Sequence, residues 1–176
     1  MLSSGTIALG PDDGAIEIRV AVEGPVSFLA HDLVIDLGAW NADVDVDDAE
    51  QVSAIGFTAD LDQGRYRLLK GSDPVREGPR KSITKTITKM IGHAPIGFRS
   101  ERVADTGDDV VVGGQLTLVG VTRPIEFTLH RSGGRIRGQV AINQTEWAIP
   151  PVSHLFGAIR TSETVELVVD VAWPAQ

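Results

Sequence analysis

The chain contains no cysteine, so disulfide bridges, thiolate catalysis and cysteine-ligated zinc are excluded. It is also poor in aromatic residues, at 5% of the total, which leaves slender Val, Ile and Leu side chains to build most of an interior. No hydrophobic stretch approaches the ~20 residues of a membrane-spanning helix, because charged residues, glycine or proline interrupt every run. The opening MLSSGTIALGPDDG has neither a basic start nor a sustained apolar run. It does not read as a secretory signal, and a cytoplasmic location is the expectation.

Catalytic and metal motifs are equally scarce. There is no P-loop and no G-x-G-x-x-G, and neither Ser153 nor Ser100 sits in a G-x-S-x-G elbow. The four histidines, His31, His93, His130 and His154, share no short metal spacing. Only convergence in space, of His31 with His154 for example, would make a ligand set, and no metal or other cofactor is expected. Asp43 to Asp48 alternates Val and Asp in a way that suggests calcium, but an EF-hand loop needs glycine where Asp48 stands. A half-buried strand is the simpler reading. Asn143-Gln144-Thr145 matches the glycosylation pattern, which carries meaning only on a secreted chain.

With 176 residues, 42% of them hydrophobic, the chain is long enough to bury a core as one domain over residues 1–176. The net charge of -8 argues against a nucleic-acid partner. That charge is uneven: residues 1–62 hold 13 acids and one base, whereas residues 65–102 hold ten bases and three acids.

The hydrophobic pattern is mostly of period two. Val110 to His130 reads as a β-hairpin, with Leu116, Leu118, Ile125, Phe127 and Leu129 on one face and Gln115, Thr117, Glu126, Thr128 and His130 on the other. Gly120 and Pro124 mark its turn, and Pro124, lacking an N–H, is expected to end or bulge the ladder. Ile16, Ile18, Val20 and Val22 form an alternating strand. Val26 to Trp40 is a second, with a bend where its parity switches across Ala30-His31-Asp32. Further strands are read at Val44 to Asp47, Val52 to Leu61, Arg65 to Lys70, Ile96 to Val103, Arg135 to Ile142 and Thr164 to Trp173. One amphipathic helix is predicted over about residues 80–91, where Ile83, Ile87, Met90 and Ile91 recur at helical spacing. The fold class is therefore all-β: an antiparallel, roughly eight-stranded barrel or sandwich with one short helix.

Four segments carry a resemblance. Ala30-His31-Asp32-Leu33 with Trp40; Arg80 to Ser100; the LTLVGVTRPIEF hairpin; and Glu146 to Ser153 with Phe156-Gly157-Ala158-Ile159 stand in an order similar to that of the YceI-like family. Gly97 and Gln144 depart from that pattern, Gln144 standing where many members carry an arginine. The resemblance implies a lipocalin-like barrel that binds a polyisoprenoid or other long-chain lipid inside, as carrier or sequestering protein without chemistry of its own. The interior residues it points to are Ile18, Val20, Phe28, Leu33, Ile35 and Phe57, then Phe98, Leu116, Leu118, Ile125 and Phe127, then Val140, Ile142, Trp147 and Phe156.

Such a site needs no polar motif, since each methylene removed from water contributes about 0.8 kcal/mol. An anionic headgroup would call for donors at the mouth, and Arg80, Lys81 and Lys85 are candidates, although a solvated lysine face is the simpler reading. A connected apolar cavity of roughly 300–1,000 Å³ would mark the carrier. A filled barrel docking a partner or a second copy through its surface would instead show a large apolar patch. An enzyme would gather titratable groups in a cleft.

Overall fold

Among the described residues twelve strands form, against the roughly eight expected from the alternation. The computed structural model describes residues 4–25, 32–60, 65–68, 85, 95–154 and 158–173. The strands are β1 (Gly5–Leu9), β2 (Gly14–Glu23), β3 (Leu33–Asp36), β4 (Ala39–Val46), β5 (Val52–Asp60) and β6 (Arg65–Leu68). They continue as β7 (Ile96–Asp105), β8 (Asp109–Leu118), β9 (Val121–Ser132), β10 (Arg135–Asn143), β11 (Ser153–His154) and β12 (Ile159–Ala172). A 3-10 turn, Gln144–Trp147, links β10 to the segment before β11. Ten of these coincide with segments read from the alternation, and β1 and β11 are additional; the segment ending at Trp40 breaks at Leu37-Gly38, so that Ala39 and Trp40 join Val44 and Val46 in β4. The predicted helix at 80–91 lies outside the described residues apart from Lys85, which is exposed.

All pairings are antiparallel, in the order β1-β4-β5-β7-β8-β9-β10-β12-β2-β3-β6, with β11 added on β12. This order dictates the overall shape. β3 and β4 lie eight strand steps apart along the sheet, or about 38 Å if it were flat. Yet Asp36 and Ala39 are separated by only Leu37 and Gly38, a reach of at most about 11 Å. The sheet must therefore roll up, and the Leu37 N–H, donating to the Ile16 carbonyl at 2.9 Å, pins the link against β2. The result is a barrel-like sheet curled around one cluster of buried residues from Leu9 to Trp173.

The central hairpin corrects one expectation. Val119 (φ 52°) and Gly120 (φ 76°) make a two-residue turn with both φ angles positive, the type whose twist suits adjoining strands. Pro124 stays in register opposite Gln115 rather than ending the ladder. The pair closing a two-residue hairpin is hydrogen bonded, so alternation outward from Leu118–Val121 makes Gln115–Pro124 a non-bonded pair. The proline nitrogen then faces away from β8, on the flank where pairing with β10 begins only at Leu129.

One end of the barrel is tied by a buried ion pair. Asp105, with its side chain 1% exposed, receives both terminal nitrogens of Arg131, at 2.6 and 2.8 Å. The N–H groups of Val52 and Gly107 donate to the same carboxylate at 2.7 and 2.9 Å, and the Arg131 guanidinium lies 5.0 Å from the Trp173 ring centre. Burial works against ionisation of Asp105, but these donors outweigh it and hold its pKa below the ordinary 3.8. β5, β7, β9 and the end of β12 are thereby joined at one point.

Two glycines on the inner face set the interior shape. A Cβ on Gly138 would stand 2.5 Å from Leu129 Cδ2, and one on Gly114 would collide with the Arg99 carbonyl and lie 2.8 Å from Phe98 Cζ. The missing side chains are the space that Leu129 and Phe98 occupy.

Two outcomes are expected. Arg131→Met strands a buried carboxylate and should lose about 3–5 kcal/mol at neutral pH. Because the folded pKa of Asp105 is depressed, the contribution is complete above 3.8 and disappears as the pH falls through the lower folded value. Urea unfolding of both proteins should thus show a difference that shrinks on acidification; a gap independent of pH would contradict it. Gly138→Ala should cost about 1–3 kcal/mol by overpacking, and Gly114→Ala more, since it meets backbone that cannot turn aside. Melting curves showing the reverse order would refute this account of the two sites.

Candidate functional site

Period-two alternation sends every second side chain of the rolled sheet inward. Ile16 and Ile18 on β2, Val140 and Ile142 on β10, and Val165, Leu167, Val169 and Val171 on β12 meet there. On the opposite wall stand Trp40 and Val44 from β4, Ile55 and Phe57 from β5, and Phe98 from β7. Phe98 and Phe127 pack with ring centres 5.3 Å apart and planes tilted by 58°. β5 keeps both Val52 and Ile55 inward despite their odd spacing, because a bulge opposite Asp45–Val46 absorbs one residue.

Between these walls lies a cavity of about 160 Å³. Every described residue lining it is Val, Leu, Ile, Phe, Ala or Trp, so among the described residues no titratable group borders it. It is smaller than the 300–1,000 Å³ expected of a drug-sized pocket. The interior is narrow because the side chains, though slender, point in from nine strands of the sheet.

Nine of the interior residues inferred from sequence line the cavity: Ile18, Phe57, Phe98, Leu116, Leu118, Ile125, Phe127, Val140 and Ile142. Four do not. Val20 pairs with Leu33, and Ile18 with Ile35, so Val20, Leu33 and Ile35 continue the face of Ile18 along the flank toward β6, beyond the cavity. Trp147 belongs to the 3-10 turn, where it is buried and its Nε1–H donates to the Leu116 carbonyl at 3.0 Å. It belongs to the buried core cluster without lining the cavity. Phe28, Phe156, Arg80 and Lys81 lie outside the described residues, as does His31, so its convergence with His154 does too. Lys85 is exposed and borders no part of the cavity. Gln144, in place of the family's arginine, donates through Nε2 to the Ser162 carbonyl at 2.7 Å, engaged in holding the irregular start of β12.

Sequence reasoning passed over the β12 residues and Trp40 as lining groups, although the same alternation marked both. Trp40 is 2% exposed and lines the cavity, with Phe57 6.4 Å away between ring centres. Its buried Nε1–H has no acceptor, a deficit of about 1–3 kcal/mol. Among the described residues no group of three His, Asp or Glu could hold a metal, and no helix is long and apolar enough to cross a membrane.

The fold has solved counterparts. BcnA of Burkholderia cenocepacia aligns over 88% of this chain and 95% of its own, at 13% identity and a TM-score of 0.54. A mutant Campylobacter jejuni YceI protein, crystallised with a monobromobimane guest, aligns over 81% and 84%, at 11% identity and a TM-score of 0.60. Another crystal structure of the Campylobacter jejuni protein aligns over 80% and 85%, at 10% identity and a TM-score of 0.54. No curated protein matches by sequence. At these identities the likeness is one of fold, but the model of the YceI-like domain matches residues 26–173 directly, and the chain therefore belongs to the YceI-like family.

Proposed function

We propose that the protein binds a long apolar ligand, a polyisoprenoid or another long-chain lipid, in the barrel interior, and acts as its carrier or sequestering protein without chemistry of its own. The observation that carries this reading is a cavity whose described lining residues are all apolar or aromatic. Membership of the YceI-like family supports it. A barrel filled for scaffolding would leave no such space, and among the described residues Val119 is the sole large hydrophobic side chain classed as exposed.

An apolar cavity of about 150 Å³ takes a benzene-sized guest, so the present volume accepts one short segment of a chain. Longer ligands gain room as Val, Leu and Ile side chains change rotamer, and each methylene transferred from water returns about 0.8 kcal/mol. With no charged or hydroxyl-bearing side chain among its described lining residues, the interior selects for length and girth rather than for chemical detail.

Native mass spectrometry of the purified protein, with solvent extraction of whatever is released, tests the proposal. One long-chain lipid per chain, either co-purified or taken up from added prenyl alcohols and fatty acids, is the expected result. A protein that carries none and takes up none would overturn it.

A further inference from the structure

On β9 every second residue from Val121 belongs to one face, and that row includes Arg123, Ile125, Phe127, Leu129 and Arg131. Register makes this the inner face. Ile125, Phe127 and Leu129 line the cavity, and Arg123 stands directly opposite Leu116, another lining residue. The next pair, Thr117 and Thr122, joins hydroxyls at 2.8 Å on the other face. Two arginines thus flank the lining residues of this strand, one at each end.

Their surroundings differ. Arg131 is bound by the Asp105 carboxylate at the sealed end, where Val110 is 0%, Ile136 5% and Leu129 8% exposed. From there the row opens: Phe127 and Ile125 are half-buried and Arg123 is exposed. The Arg123 Nε donates to the Glu146 carbonyl of the 3-10 turn, which orients the guanidinium. Among the described residues no carboxylate pairs with Arg123, and its two terminal nitrogens have no acceptor.

We infer that Arg123 is the headgroup site of the bound ligand, its terminal nitrogens receiving an anionic oxygen group, a carboxylate or a phosphate, while the alkyl chain runs inward past Ile125 and Phe127. This rests on the ligand-binding reading above and deepens it. The fork of donors that Asp105 satisfies at Arg131 is open at Arg123, and it matches two oxygens of one anion. Arg123 lies about 7 Å along the strand from Ile125, so the charge stays at the rim. Inside, the described lining holds nothing to balance it.

The test compares dodecanoate, dodecyl phosphate and dodecanol, which share one chain and differ at its end. Binding of each to the full-length protein, to Arg123→Gln and to Arg123→Lys is measured by calorimetry. At least one of the two anions should bind the unmodified protein more tightly than dodecanol does, and whichever does so names the headgroup. That anion should lose about fivefold to tenfold in affinity in Arg123→Gln and recover part of it in Arg123→Lys, while dodecanol changes by less than about twofold. Dodecanol binding also shows that each variant keeps its barrel. In the unmodified protein, the preferred anion but not dodecanol should shift the Arg123 Nε–H signal in a proton–nitrogen correlation spectrum, a readout independent of how the variants fold.

If neither anion binds more tightly than dodecanol, if Arg123→Gln weakens all three ligands alike, or if the Arg123 signal ignores both anions, the inference is overturned and the apolar cavity stands. If none of the three binds the unmodified protein, the cavity reading falls and takes the inference with it.

Discussion

The two residues between β3 and β4 impose the constraint on which the rest depends. Because Leu37-Gly38 joins strands eight steps apart in the sheet, a flat arrangement is impossible. Rolling turns one face of every strand into a shared interior, and alternation fills that interior with Val, Ile and Leu. The Arg131–Asp105 pair acts on the same closure from another side, joining β7 and β9 to the Val52 backbone and to Trp173. Removing water from such an interior is favourable for side chains and for any apolar guest alike.

Stability and binding therefore compete for the same space. A fully packed barrel would maximise dispersion contacts, whereas this one keeps about 160 Å³ unfilled next to an unpartnered indole N–H. Gly114 and Gly138 show that the inner wall is fitted closely where backbone and side chain meet, since neither accepts a methyl group without displacement. The vacant space is bordered by side chains from both walls, Trp40, Phe57 and Phe98 on one and Val140, Leu167 and Val169 on the other.

Much of this was legible in the sequence. The hairpin faces, the inward set Leu116, Leu118, Ile125, Phe127, Val140 and Ile142, and the all-β class follow from period-two alternation, which any one-sided strand must show. The break at Leu37-Gly38 was not legible, because Leu33, Ile35 and Leu37 keep a single parity up to the break. Pro124 misled because a proline can sit within a strand when its nitrogen faces an unpaired flank, a fact set by β10 far along the chain. Likewise Asp105 and Arg131, and the unpartnered state of Trp40, depend on which distant strands become neighbours. Local pattern gave the faces of strands, but not where along a face the cavity ends, so Val20, Leu33 and Ile35 were included and the β12 residues were not.

The central claim is that the rolled interior is the binding surface. Its most direct test is a set of nuclear Overhauser measurements between a long-chain alcohol and the methyl groups of Ile, Leu and Val in the labelled protein. Contacts from the alkyl chain to Ile18, Leu116, Ile125, Val140 and Leu167, with none to the exposed Val119, are the predicted result. Contacts confined to outward-facing methyl groups such as Val119 would contradict it.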